Sequence, residues 1–169
     1  MSSYVNIFND FIEEQDCNAL IDKLNYLKKN NQLTLRRDGR LCVENSQEPI
    51  FLNIVDKYYK KIRALTDDEY KYIFGYILSV YCEGVGMPAH VDSLEGEEVG
   101  ALFYLNDDYS GGELEVLTPE GIFTYTPKKR DLVYFPSWFR HEVLPVKSGI
   151  RYFFTISLLK TPTSQFSNM

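Results

Sequence analysis

The chain has 169 residues, 44% of them hydrophobic and 25% charged, with 10 Gly and 7 Pro. This composition excludes a collagenous, low-complexity or wholly disordered chain and suits one domain, since a chain of about 150 residues hides roughly 68–70% of its unfolded surface. Eighteen Lys and Arg against 24 Asp and Glu give a net charge of −6, which removes the global cationic field that draws in duplex nucleic acid or an anionic membrane. Cys17, Cys42 and Cys82, odd in number and far apart, fit neither a disulfide framework nor a zinc ribbon and predict free thiols in a reducing, cytoplasmic setting. No run approaches the ~18 apolar residues of a membrane span, and the chain start has no basic segment followed by an apolar one.

Between residues 13 and 30, Cys17, Leu20, Ile21, Leu24 and Leu27 recur at spacings of three and four, which predicts an amphipathic helix. Asp10 and Glu13 fit a capping-box-like start, and Lys28 and Lys29 suit the negative helix end. Residues 33–43, with Asp38-Gly39 between two alternating runs, predict a hairpin that carries Arg36, Arg37 and Arg40 near its tip. A second helix starts near Ser46 and Pro49, with Ile50, Ile54, Tyr58, Ile62 and Leu65 as its buried stripe.

From Tyr70 onward, short runs rich in β-branched and aromatic residues (KYIFGYILSVYC, VGALFYLN, GELEVL, GIFTYT, DLVYF, HEVLPV, IRYFFTISLL) are bounded by Gly, Pro, Asp or Asn. They predict at least seven strands in about 90 residues. The expected fold is α+β: a double-stranded β-helix (jelly roll) of antiparallel strands with the N-terminal helices packed on one sheet. The expected division is a single domain over 1–160, helical over about 10–66 and jelly roll over about 70–160, with a polar tail at 161–169.

Any imidazole chemistry must use His90 or His141, because the chain has only 2 His. His90 and Asp92 share one side of an extended segment. A distant His141 completes the 2-His-1-carboxylate set of non-haem Fe(II) oxygenases. Taken alone, His-x-Asp is a weak signal and more often marks two polar groups at a strand end. Arg151 opens the most apolar strand, where a permanent charge needs an anion, and its fork matches a carboxylate.

The stretches YCEGVGMPAHVD, LFYLND, SGGELEV and HEVLPVKSGIR, in that order, resemble the prolyl-hydroxylase-like branch of the 2-oxoglutarate and Fe(II)-dependent dioxygenases. VNIFNDFIEEQDCNALIDKL resembles the family's leading strand and helix. The resemblance implies Fe(II), 2-oxoglutarate and O2, with ascorbate as an accessory, and release of succinate and CO2 as a C–H bond is hydroxylated. By position, His90, Asp92 and His141 match the iron ligands, Arg151 the partner of the distal carboxylate of 2-oxoglutarate, Tyr104 a second contact to it, and Tyr81 a residue facing the metal. Both tyrosines have a competing account as core aromatics. Tyr152 and Phe153 follow Arg151, so the Arg-x-Ser pattern of some related oxygenases is absent. Asp92 stands where halogenating relatives carry a small residue.

The resemblance points to a prolyl residue of a peptide or protein as substrate. The hairpin over 33–43 and the loop over 93–98 would roof the site, with Glu95, Glu97 and Glu98 favouring basic peptides, although a solvated acidic loop accounts for the same residues. Trp138 fits a pocket wall or plain packing, the arginine tip an acidic partner or a solvated turn, and Gly111-Gly112 a strand-entry turn. The same centre acting on a small molecule or nucleic acid, or a metal-free jelly-roll binding module, are the alternatives.

Overall fold

The computed structural model describes residues 4–66, 69–93 and 98–162. In chain order the elements are β1 (Asn6–Phe8), α1 (Glu14–Lys29), β2 (Thr34–Leu35), β3 (Leu41–Glu44), α2 (Pro49–Leu65), β4 (Tyr72–Tyr81), β5 (Met87–His90) and β6 (Glu98–Tyr104). They continue with β7 (Ser110–Gly111), β8 (Leu114–Thr118), β9 (Gly121–Tyr125), β10 (Leu132–Pro136), β11 (His141–Val143), β12 (Val146–Ser148) and β13 (Arg151–Leu159). A seven-stranded sheet runs β1-β10-β6-β13-β4-β3-β2, a four-stranded sheet runs β5-β11-β8-β9, and β12 pairs with β7. All the pairings are antiparallel.

Alternation along the central strands separates two cores. Tyr152, Phe154, Ile156 and Leu158 of β13, with Val99, Ala101 and Phe103 of β6, pack against α1 and α2. Phe153, Leu102 and Tyr104 lie on the opposite face, with Leu114, Val116 and Val143 of the smaller sheet. The two helices thus cover the outer face of the large sheet, and the cleft between sheets is left for chemistry.

Local sequence explains most elements. Cys17, Leu20, Leu24 and Leu27 bury one face of α1, and Pro49 starts α2 where a missing N–H is harmless. The expected hairpin forms: Arg36 N donates to the Arg40 carbonyl (2.9 Å), and Gly39 adopts φ +90 against Val85. Tyr58 joins the helices, donating to Asp16 Oδ2 (2.6 Å) and accepting from Glu13 N (2.8 Å).

Three local expectations fail for tertiary reasons. Asp10 does not cap α1; Glu13 is the N-cap with no side-chain cap bond, and Asp10 pairs instead with Arg130 at 2.8 Å. Leu65 is 48% exposed at the end of α2, while Phe51 takes a buried place in the stripe. HEVLPV is two strands split at Leu144-Pro145. The polar tail from residue 163 onward lies outside the described residues. No described helix is long and apolar enough to cross a membrane.

Phe103 is fully buried, stacks on Phe154 at 4.9 Å and meets Tyr58 edge-on at 5.6 Å. Phe103→Ala should lower the unfolding free energy by about 3–5 kcal/mol, read from the urea midpoint, because the cavity sits between sheet and helices and neither can collapse into it alone.

Candidate metal and anion site

His90 ends β5 and His141 begins β11, and the two are direct cross-strand partners. Strand pairing thus closes the gap between residues far apart in the chain, bringing the ring centroids to 4.3 Å. Asp92 follows β5, its N–H donating to the Ser137 carbonyl at 3.0 Å. Its carboxylate reaches both rings: Oδ1 lies 3.3 Å from His90 Nε2 and Oδ2 lies 3.4 Å from His141 Nε2.

The imidazoles are oriented alike. His90 Nδ1 lies 2.8 Å from the Pro88 carbonyl and His141 Nδ1 lies 2.8 Å from the Phe139 carbonyl. A carbonyl only accepts, so each Nδ1 carries a proton and each Nε2 presents its lone pair to the cleft in the neutral ring. One donor atom from each of the three residues falls within 4.8 Å of the others. In the neutral ring the buried His90 Nε2 has no hydrogen-bond partner among the described residues, and only a protonated imidazole can donate to Asp92. Two imidazole nitrogens and a carboxylate converging, with the Pro88 and Phe139 carbonyls fixing the rings from behind, suit a divalent transition metal with open positions.

Partial burial alone would raise Asp92, but its hydrogen bonds to His141 and His90 outweigh that and hold it well below the usual carboxylate range. The same bond to Asp92 raises His90 above its ordinary value.

Behind the cavity wall lies a cation with no paired anion among the described residues. Arg151 is 0% exposed, and its guanidinium sits over the rings of Phe153, Tyr81 and Tyr104 at 4.3, 4.7 and 5.3 Å. None of its three nitrogens has a hydrogen-bond partner among the described residues. The hydroxyls of Tyr104 and Tyr109 lie near it without forming a bond of proper geometry, and both are buried and unpartnered. Burial raises Tyr104 and pushes Tyr109 up to about 12, in each case against the pull of Arg151, so both stay protonated as donors. Glu113 lies close enough to push Tyr109 further up, yet its buried Oε2 is unpartnered too. A guanidinium fork with two neighbouring hydroxyl donors fits a carboxylate. Gly112 leaves room for the cradle: at φ +70, a Cβ there would meet Arg151 Cδ and Tyr109 Cε2 at 3.2 Å each.

A cavity of about 250 Å³ has the His90, Asp92 and His141 side chains in its wall together with Tyr81 and Phe153, the two rings against which the Arg151 guanidinium packs from behind.

Residues 76–157 match the family profile described as the 2OG-Fe(II) oxygenase superfamily. A PKHD-type hydroxylase of Cupriavidus pinatubonensis is 30% identical over 100 residues, 50% of this chain and 44% of that protein. The match therefore spans less than half the length of that curated relative. The solved prolyl-4-hydroxylase of Pseudomonas putida superposes with a TM-score of 0.76 at 19% identity, covering 95% of each chain. A prolyl hydroxylase from Trichoplax adhaerens, solved with a peptide fragment of the hypoxia inducible factor oxygen degradation domain, gives 0.75 at 19% identity over 99% of this chain and 89% of that one. Residues 76–157 belong to the 2OG-Fe(II) oxygenase superfamily. The solved neighbours agree in fold, the double-stranded β-helix, and the family implies Fe(II), 2-oxoglutarate and O2.

The structure brings His90, Asp92 and His141 together, puts Tyr81 in the same cavity wall, and sets Arg151 and Tyr104 behind that wall, Arg151 against Tyr81 and Tyr104 against Phe153. Tyr109 and Asn106 were missed by sequence reading, although Asn106 lies within LFYLND and Tyr109 immediately precedes SGGELEV. The Asn106 side chain donates to the Ile150 carbonyl (2.7 Å) and accepts from Tyr152 N (2.8 Å), gripping the backbone on both sides of Arg151. The arginine tip divides: Arg36 pairs with Glu44, Arg40 pairs with Asp38 at 3.1 Å and reaches the cavity wall, and Arg37 is exposed. Trp138 is not in the wall; it packs edge-on against Phe139. Of the acidic 93–98 segment, residues 94–97 lie outside the described residues, and Glu98 is no loop residue but the buried start of β6.

Asp92, held below its ordinary 3.8, stabilises the fold above that pH and loses this as the pH falls; His90, raised above its ordinary 6.5, stabilises below that value and loses this as the pH rises through its folded value. In chelator-treated protein, the urea midpoint of Asp92→Asn should trail the native one most between pH 3.8 and 6.5, and the gap should narrow at pH 8. A gap that widened toward pH 8 would contradict the assigned couplings.

Proposed function

We propose that the protein is an Fe(II)- and 2-oxoglutarate-dependent dioxygenase that hydroxylates a C–H bond of a prolyl residue in a peptide or protein. The observation that carries this reading is the buried, unpaired Arg151 with the Tyr104 and Tyr109 hydroxyls, packed against Tyr81 and Phe153 in the wall of the cavity that holds the His90, Asp92 and His141 cluster. One end of a dicarboxylate would meet the guanidinium while its other end reached the metal. The prolyl assignment is supported by the prolyl hydroxylases among its structural neighbours, one of them solved with a peptide.

His90 and His141 would ligate through Nε2 and Asp92 through its carboxylate. Arg151 would hold the distal carboxylate of 2-oxoglutarate, with Tyr104 and Tyr109 as donors beside it and Tyr81 as the platform for its planar group. Asn106 would fix the strand that presents Arg151. The apolar side of the cavity, including Met87, Leu102 and Phe135, would exclude water from the reacting centre. Bound Fe(II) and 2-oxoglutarate supply the activation of O2 that places one oxygen atom in the substrate and releases succinate and CO2. The three cysteines, all free, support a reducing cytoplasmic location.

Mn(II) as an inert stand-in should bind the native chain at one site by isothermal titration. His90→Ala and His141→Ala should each abolish this, and unchanged affinity in both would remove the assignment. Arg151→Ala should keep Mn(II) binding and weaken 2-oxoglutarate at least tenfold, in line with roughly 2–5 kcal/mol for losing one partner of a desolvated charge pair. Mass spectrometry of a proline peptide panel, incubated with enzyme, Fe(II) and 2-oxoglutarate, should find one added oxygen on proline; product only from nucleosides or oligonucleotides would contradict the prolyl assignment.

A further inference from the structure

Among the described residues, Glu98 is the one acid in the cavity wall that the metal and cosubstrate roles leave unused. It opens β6 with its side chain on the same face as Gly100, Leu102 and Tyr104, the cleft face. It is only 5% exposed. Ser157 on β13 and Ser137 after β10 are its polar neighbours and both also line the cavity. Ser137 also connects Glu98 to the metal cluster: its N–H donates to the Glu98 carbonyl, and its own carbonyl accepts from Asp92 N–H, each at 3.0 Å.

No lysine or arginine among the described residues pairs with this carboxylate. Burial raises its pKa and the nearby charge of Asp92 adds to the rise, while the two serines and, more weakly and without an ion pair, His141 oppose it. Two serine hydroxyls compensate a buried carboxylate only in part, and a buried acid with no cation is costly to keep for structure alone. Replacing it with an apolar residue would remove that cost, so its presence in the wall of an open cavity points to a ligand that supplies the missing charge.

We propose that Glu98, seated by Ser137 and Ser157, recognises a protonated amine of the substrate. The inference rests on the oxygenase reading and narrows its substrate class to a peptide with a cationic nitrogen near the C–H bond that reacts. The same chemistry has two sources: the secondary ammonium of an N-terminal prolyl residue and the side-chain ammonium of a lysyl residue. Glu98 acts on binding and register; the metal ligands and Arg151 are independent of it.

The test uses the full chain loaded with Mn(II) and 2-oxoglutarate, which binds without turnover. The probes are short matched peptides: one with a free N-terminal proline, its acetylated form, one with an internal lysine, and its norleucine counterpart. Isothermal titration of the native chain should favour at least one charged probe over its neutral match by tenfold or more, and the favoured pair names the source of the amine. In Glu98→Gln that preference should fall to within twofold, with Mn(II) and 2-oxoglutarate affinities unchanged. Glu98→Leu should lose the preference too while its Tm stays level or rises, whereas a structural carboxylate would lower Tm in both variants. Equal binding of charged and neutral probes by the native chain, including binding of neither, overturns the proposal, as does a preference that survives Glu98→Gln. Failure of the native chain to bind Mn(II) and 2-oxoglutarate would bring down the oxygenase reading and this inference with it.

Discussion

A guanidinium enclosed by three aromatic rings and lacking an anion constrains everything around it. Moving such a charge out of water costs several kcal/mol even after relaxation, and ring faces return about 0.5–2 kcal/mol each. Arg151 cannot escape this by swinging outward. Its backbone is paired with Tyr81 of β4, and Asn106 grips the carbonyl before it and the amide after it. The closed approach of Gly112 removes the remaining space beside its stem. The large sheet must therefore be stable enough elsewhere to hold an incomplete ion pair, and a bound carboxylate adds stability by mass action because the unfolded chain has no such cradle.

That surplus comes from the opposite face of the same strands. Phe154 and Ile156 on β13 and Phe103 on β6 pack under the helices, while their immediate neighbours in sequence face the cleft. A slip of one residue would send every one of these side chains to the wrong side. The apolar pattern toward the helices thus sets the register, and the register delivers Arg151, Tyr104 and Glu98 to the cleft. A substitution under the helices would disturb the site only by unfolding the sheet, so the two faces separate stability from chemistry.

Much of this was legible in the chain. Period-four and period-two patterns placed both helices and the long strands, because burial of those elements is decided by their own residues. The metal cluster was legible from residue types, since only two imidazoles exist and one has a carboxylate two positions away. Elements of two to four residues, such as β5 and β7, carry too few side chains for any period to emerge. Asp10 looks like a cap because its partner, Arg130, is remote in sequence. Glu98 reads as part of an acidic loop with Glu95 and Glu97, although the run Glu98, Gly100, Leu102, Tyr104 already places it on one strand face with a residue of the site. Tyr109 gave no comparable signal: its role depends on the close approach of β13 and the turn before β7, a contact between distant segments.

The two acids of the cavity show how environment divides one chemical type between roles. Asp92 is drawn down by two imidazoles, remains half-exposed, and is ionised wherever a metal would be bound. Glu98 lies one residue's hydrogen bonds away through Ser137 but faces hydroxyls instead of imidazoles, and burial together with Asp92 pushes it up. Two carboxylates driven apart in this way do not compete for one ion: the acid with nitrogen ligands beside it has the ligand set a transition metal requires, and the other stays available to what enters the cavity. The short link through Ser137 then has a chemical consequence, because a group held by Glu98 would stand at a fixed offset from Asp92 and hence from the reacting centre.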